Sequence, residues 1–204
     1  MAGVQKVVNL NALCPYYTMY PLDFPLRVLA NRTHPQEWIL DPFCGRGTTN
    51  FAARLVGLSS VGIDSSPIAV AIAMAKFLRV PADAVVAAAE AALAETNSPL
   101  DIPEGEFWSW AYHEDTLGEL CRLRAALMLN CDEPARIMLR AIILGALHGP
   151  VRKGKPSYFS NQSPRTFAPK PAYAVRFWKK QGILPPCVKA LNIIQRKARV
   201  TFPA

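Results

Sequence analysis

Two short apolar runs lie close together in the first third of the chain. Trp38-Ile39-Leu40 ends at Asp41, and Ser60 to Ile63 ends at Asp64. Runs of this length, bounded by turn residues, predict buried parallel strands. Between them, Gly45 and Gly47 permit a tight turn and a close backbone approach to a ligand. Thr48 is placed to cap a helix over roughly Thr49 to Val56, and Gly57 to stop it. After the second run, Ser65 or Ser66 is placed to cap a strongly apolar helix from Pro67 to Leu78, with Pro67 suited to its first turn.

Elsewhere the pattern is helical. Pro21 to Leu26 leads into a short helix ending near Asn31-Arg32, and Pro81 to Thr96 is Ala-rich and amphipathic. Asn97 to Gly105 reads as a loop. Phe107-Trp108-Ser109-Trp110, an aromatic packing anchor, opens a helix to about Leu129. Asp132-Glu133-Pro134 starts another, to about Leu147. Ile137, Ala141, Leu144 and His148 recur along it at helical spacing, which predicts a largely buried helix with His148 at its C-terminal cap. Pro171 to Lys180 and Pro186 to Arg199 are two more helices, and Val200 to Phe202 reads as the opening of a strand.

The turn between the two strands carries the chemistry. Asp64 follows Asp41 by 23 residues, close to the spacing at which a doubly wound fold places an acidic residue on ribose hydroxyls. Asp41, at the end of the first strand, repels phosphate and attracts an ammonium. No Gly-Lys-Ser/Thr is present, which excludes a P-loop. A nucleoside cofactor with an amino-acid tail and no phosphate fits: S-adenosylmethionine.

The run DPFCGRGTT, followed by GIDSSPIAVAIAMAKF, resembles motifs I and II of the S-adenosylmethionine-dependent amino-methyltransferases, and CPYYTMYPLDFPLRVLA resembles their motif X. The resemblance covers roughly residues 14–79. It implies that Asp41 and Gly45 hold the methionine tail, that Asp64 binds the ribose, and that Ser65, Ser66 and Pro67 flank the adenine. It also implies that Tyr17, Thr18 and Met19 border the methionine end. The cofactor-binding set is completed by Pro42, Phe43, Cys44, Gly47, Thr48 and Thr49.

Composition sharpens this. The 204 residues, 51% apolar, suit one domain or one domain with an elaboration. Five cysteines without metal-ligand spacing read as reduced thiols of a cytoplasmic protein, and no metal site is expected. No apolar stretch reaches the length of a membrane span. The net charge is +8, yet residues 134–204 hold 14 of the 23 Lys and Arg and none of the 15 Asp and Glu. Such a segment reads as a nucleic-acid face; the alternatives are a solubilising surface and an interface to an acidic partner chain. Its stretch 151–171 interleaves cations, aromatics and prolines. Arg152, Lys153, Lys155, Tyr158, Asn161, Arg165 and Lys170 are the candidate nucleic-acid contacts there; the alternative is a basic loop anchored on the core by Tyr158 and Phe159.

Amino-group methylation in the resembling family uses a polar residue, Pro-Pro and an aromatic residue to hold the flipped-out base. The only Pro-Pro pair here is Leu184-Pro185-Pro186-Cys187. Leu accepts no hydrogen bond, and Cys offers no stacking face. Nor does anything mark Cys187 as an activated nucleophile. No catalytic residue is therefore assigned. The expected fold is α/β, a Rossmann-like class I methyltransferase fold with an incomplete sheet and a helical insertion. Residues 1–80 form the cofactor half and 81–204 a helical, basic elaboration. The chain reads as a fragment or as one subunit of a split enzyme, with a second chain supplying the catalytic motif and the remaining strands, and with an exposed apolar sheet edge near Trp38 to Asp41. Its expected substrate is DNA. The alternatives are an RNA amino-methyltransferase and a non-catalytic subunit that binds cofactor or nucleic acid.

Overall fold

The computed structural model describes residues 9–14, 20–32, 34, 36–95, 101–149, 156–161 and 170–202. Its elements are α1 (Asp23–Arg32), β1 (Trp38–Asp41), α2 (Thr48–Leu55), β2 (Ser59–Gly62), α3 (Pro67–Ala75), α4 (Ala82–Glu95), α5 (Glu106–Ala111), α6 (Glu114–Leu129), α7 (Pro134–Ala146), α8 (Pro171–Gln181) and α9 (Ala190–Thr201).

β1 and β2 pair in parallel, with Trp38 opposite Ser59 and Asp41 opposite Gly62. α2 is the crossover between them. It ends where Gly57, at φ 80°, turns left-handed. Gly57 N–H then donates to Arg54 O and Leu58 N–H to Ala53 O, which satisfies two of the last free carbonyls of the helix. One face of the sheet is covered: Ile39 and Leu58 pack with Leu29 of α1 and with Ala52 and Ala53 of α2. The other face is bare. Trp38 is 69% exposed and Leu40 63%, with Val61 and Ile63 also exposed. The apolar surface expected as an edge is thus a whole sheet face.

The main core lies among helices. Val85, Ala89 and Ala92 of α4, Leu123 and Ala126 of α6, Ile142 and Ala146 of α7, and Ile193, Ile194 and Ala198 of α9 are buried together. In α4, α6 and α7 these positions recur three, four or seven residues apart, and in α9 Ala198 follows Ile194 by four, so each helix presents one apolar stripe. Leu13, Ala75 and Val80 join the same cluster, so packing is continuous across residue 80. A smaller cluster joins α5 to α8 around Ala111, Ala174, Val175 and Trp178, with Phe107 and Trp110 at its border.

Three elements differ from the sequence reading. The helix expected from 106 to 129 breaks, because Tyr112 is extended and His113 caps α6 by accepting the Asp115 N–H on Nδ1. The last helix starts at Ala190 rather than Pro186. Val188 exchanges hydrogen bonds with the Thr116 hydroxyl, at 3.2 and 2.7 Å, which holds the chain extended against α6. Glu119 of α6 then accepts the Ala190 N–H at 2.6 Å, which caps α9 from a neighbouring helix and places a carboxylate at its positive end. Val200 and Thr201 are the last turn of α9, not a strand. His148 follows the end of α7 and pairs through Nδ1 with Ser160 Oγ at 3.0 Å; burial lowers its pKa. All five cysteines are free thiols. Among the described residues, no helix is long and apolar enough to cross a membrane.

Phe159 is fully buried in the main core, and its N–H donates to Ala146 O. Phe159→Ala is expected to cost about 3–5 kcal/mol, read as a lower urea midpoint at unchanged slope. Phe159→Leu should recover most of that loss.

Candidate functional site

The turn after β1 is built by backbone bonds and two carboxylates. Ile63 N–H donates to Asp41 O and Cys44 N–H to Ile63 O, both at 2.9 Å, which carries the ladder past the strand ends. Asp41 Oδ1 accepts the Phe43 N–H at 3.2 Å. Asp64 braces both turns, since Oδ2 accepts the Gly45 N–H and Oδ1 the Ser66 N–H, each at 2.8 Å. Each oxygen keeps a second lone pair, and the side chain is half-buried, so the carboxylate remains open to a ligand hydroxyl.

Gly47 is the N-cap of α2, at φ 71° and ψ 39°, with no side-chain cap. Thr48, expected in that role, is instead the first helical residue and is buried. The reason is space. A Cβ on Gly47 would lie 2.8 Å from Ala73 Cβ on α3, so the turn and α3 meet backbone to side chain. Ser66 caps α3 as expected, accepting the Ala69 N–H at 3.3 Å, and Pro67 opens the helix. The Tyr20 hydroxyl meets Thr49 Oγ1 at 2.5 Å.

The structure brings Asp41, Pro42, Phe43, Cys44, Gly45, Asp64, Ser65, Ser66 and Pro67 to one end of the sheet. Pro42, Phe43, Ser65 and Pro67 are exposed, while Cys44, Gly47 and Thr48 face inward. Burial, and then the carboxylates of Asp64 and Asp41, push the Cys44 thiol pKa up. Arg46, the turn's own cation, points inward and donates to Cys14 O at 3.3 Å. The open side of the turn is therefore lined by two carboxylates. That set fits an ammonium, a sulfonium and ribose hydroxyls, and it disfavours a phosphate. Tyr17, Thr18 and Met19 lie outside the described residues.

The basic set is divided. Arg152, Lys153, Lys155 and Arg165 lie outside the described residues. Tyr158 and Asn161, expected to face a nucleic acid, are 7% and 2% exposed. Lys197 Nζ lies 4.2 Å from the centre of the Tyr158 ring. Asn161 Nδ2 donates to Trp110 O and Ile183 O, at 3.2 and 2.8 Å. Their placement corrects the expectation: here they fasten the loop to the core, and the contacts that do so come from distant elements. Lys170 is exposed at the start of α8.

Sequence reasoning missed a buried polar layer beneath the turn. Asn50 is buried, and a Cβ on Gly62 would lie 2.8 Å from its Oδ1. Lys76, at the end of α3, is fully buried; its Nζ donates to Asn11 Oδ1 at 3.1 Å, and the Arg54 guanidinium donates to its carbonyl. Burial, and then the nearby Arg46 cation, lower the Lys76 pKa to about 7. Burial raises the Cys14 thiol to about 11. Only the run Asp41 to Thr49 and a basic residue at 76 were visible in sequence; that they share one buried cluster was not.

A DNA methylase family model of the adenine-N6 and cytosine-N4 class matches residues 4–75. The Type II methyltransferase M.MthZI of Methanothermobacter thermautotrophicus is 33% identical over 64 residues, which are 31% of this chain and 18% of that enzyme. The chain thus spans under a fifth of that relative. No solved structure matches. The family match ends at the last residue of α3.

The unfolded chain binds its Lys76 proton up to the ordinary value of 10.5, while the folded chain loses it near 7. Burial of the charge is therefore costly below pH 7, and stability rises as the pH climbs above it. The raised Cys14 thiol opposes this above its ordinary value of 9.0. Between pH 7 and 9 the unfolding free energy should rise by about 2 kcal/mol. Lys76→Met should flatten that rise in urea titrations across the interval.

Proposed function

We propose that this chain supplies the cofactor-binding portion of an S-adenosylmethionine-dependent DNA methyltransferase acting on the exocyclic amine of cytosine or adenine. The observation that carries the reading is the glycine-built turn flanked by Asp41 and Asp64, with its cation turned inward. Asp64 would hold the ribose, Asp41 and Gly45 the amino-acid tail, and Ser65 to Pro67 the adenine edge. When bound, the cofactor supplies an electrophilic methyl group on its sulfonium. The chain's own part is to bind and orient it: Asp64 fixes both turns in place before the ligand arrives, so little ordering is left for binding to drive. In this reading residues 1–80 are the cofactor half of a Rossmann-like domain and 81–204 its helical, basic elaboration. The split is one of function, since the two parts share a core.

The acceptor site would come from further polypeptide carrying the polar-Pro-Pro-aromatic motif. The bare face of Trp38, Leu40, Val61 and Ile63 supports this, because parallel sheets are otherwise covered on both faces. The name of the matched relative suggests a restriction–modification setting. A second reading, a non-catalytic subunit binding cofactor or nucleic acid, is favoured by the lack of that motif in the sequence.

Calorimetric titration with S-adenosylmethionine tests the cofactor site. Asp64→Ala should weaken binding at least about tenfold, as expected when a charged hydrogen-bond partner is lost. Equal affinity in wild type and variant overturns the ribose assignment.

A further inference from the structure

The acid-free segment 134–204 looks uniformly basic in sequence, but its cations are spent unevenly in the fold. Arg136 pairs with Glu95, Lys179 with Glu106 and Lys189 with Glu119. Arg196 donates to Pro156 O, and Lys197 rests on the Tyr158 ring. Arg140 is half-buried in the wall of a cavity of about 720 Å³ between α6 and α7. Among the described cations of this segment, four remain that are exposed and in no ion pair: Lys170, Arg176, Lys180 and Arg199. Arg176 and Lys180 belong to α8, and Lys170 is its N-cap.

On α8 they share one side. At about 100° per residue, positions 173, 176 and 180 fall within about 60° of one another, and position 170 lies about 60° beyond. The opposite side, Ala174, Val175 and Trp178, is buried against α5. Tyr173 stands between the cations, 42% exposed. From 170 to 180 the strip measures about 15 Å, the axial rise of about four phosphates on one strand. Helical spacing fixes the line, and the buried stripe fixes which way it faces.

We infer that the outer face of α8, formed by Lys170, Tyr173, Arg176 and Lys180, is a contact surface for the phosphate backbone of duplex DNA. The three cations neutralise phosphates, and the Tyr173 hydroxyl donates to a phosphate oxygen, a contact that positions the duplex without reading its sequence. The proposal rests on the DNA reading above. It moves the nucleic-acid surface from the loop, whose Tyr158 and Asn161 are buried, to a rigid helix.

The test is binding of a labelled DNA duplex to the full chain over a range of potassium chloride. Replacing Lys170, Arg176 and Lys180 together by Ala should weaken binding on the order of tenfold at about 50 mM salt, and should make the slope of log affinity against log salt shallower by about 2.7. A charge-matched control replaces Arg27, Arg79 and Arg199, exposed cations scattered over other elements, and should keep the wild-type slope. Tyr173→Phe should weaken binding about two- to tenfold with the slope unchanged. Thermal melting and S-adenosylmethionine titration of each variant report whether the fold and the cofactor turn are intact. If wild type binds and the α8 variant keeps its slope, or the control loses as much, the strip is overturned while the DNA reading stands. If wild type binds no duplex at low salt, both fall, and the cofactor titration still judges the methyl-donor site on its own.

Discussion

α3 must serve two neighbours at once, and its small side chains are what permit it. On one side Gly47 comes so near that a Cβ would lie 2.8 Å from Ala73 Cβ. On the other side α3 packs along α7, where Ala75 enters the main core. Larger residues at Ala69, Ala71 or Ala73, all buried, would push either the turn or the helical body away. A close-packed contact of this kind has little room to adjust. The position of the candidate cofactor turn is thus set by a helix that belongs equally to the helical core.

The same junction explains an unusual distribution of charge. Asp41 and Asp64 stand on the open side of the turn, while Arg46 and Lys76 lie beneath it, buried. Lys76 is in no ion pair with a carboxylate among the described residues. Arg46 donates to Cys14 O and Lys76 to Asn11 Oδ1. A buried lysine without a carboxylate is tolerable because it can shed its proton, and Lys76 does so near neutrality. A carboxylate beside it would instead hold it charged. The layer ties residues 11 and 14 under the turn with hydrogen bonds.

How much of this could be read from the sequence follows the range of the forces involved. The strand–turn–helix–strand unit was legible because its determinants are local: Gly57 turns the chain left-handed, Ser66 caps α3 and Pro67 starts it. Thr48 misled because an N-cap depends on whether the preceding residue can adopt a left-handed conformation, and Gly47 does so under pressure from α3, a helix that begins 20 residues later. The start of α9 was misplaced for a similar reason, since its cap is Glu119 of α6. Tyr158 and Asn161 looked available because polar and aromatic residues in a basic loop suit nucleic acid. Their partners, Trp110, Ile183 and Lys197, lie far along the chain. Charge totals were legible, but which cations remain unpaired was not, because pairing with Glu95, Glu106 and Glu119 is a tertiary fact.

The weakest part of the architecture lies where the chemistry is expected. A two-stranded sheet is marginal by itself, and here α1 and α2 cover only one of its faces. The folding free energy must therefore come mainly from the helical core, which holds most of the buried apolar side chains. The turn is fixed to that core through α3 on one side, but it continues on the other side into strands whose bare face carries Trp38, Leu40, Val61 and Ile63. Covering that face would remove four large apolar side chains from water, at about 1.5–3 kcal/mol for each one fully buried. It would also stiffen the ladder that ends in Asp41 and, through the Ile63 and Cys44 bonds, the turn itself. Whatever covers the sheet is thereby coupled to the affinity of the turn for its ligand, since a turn already held in its binding geometry loses less freedom on binding.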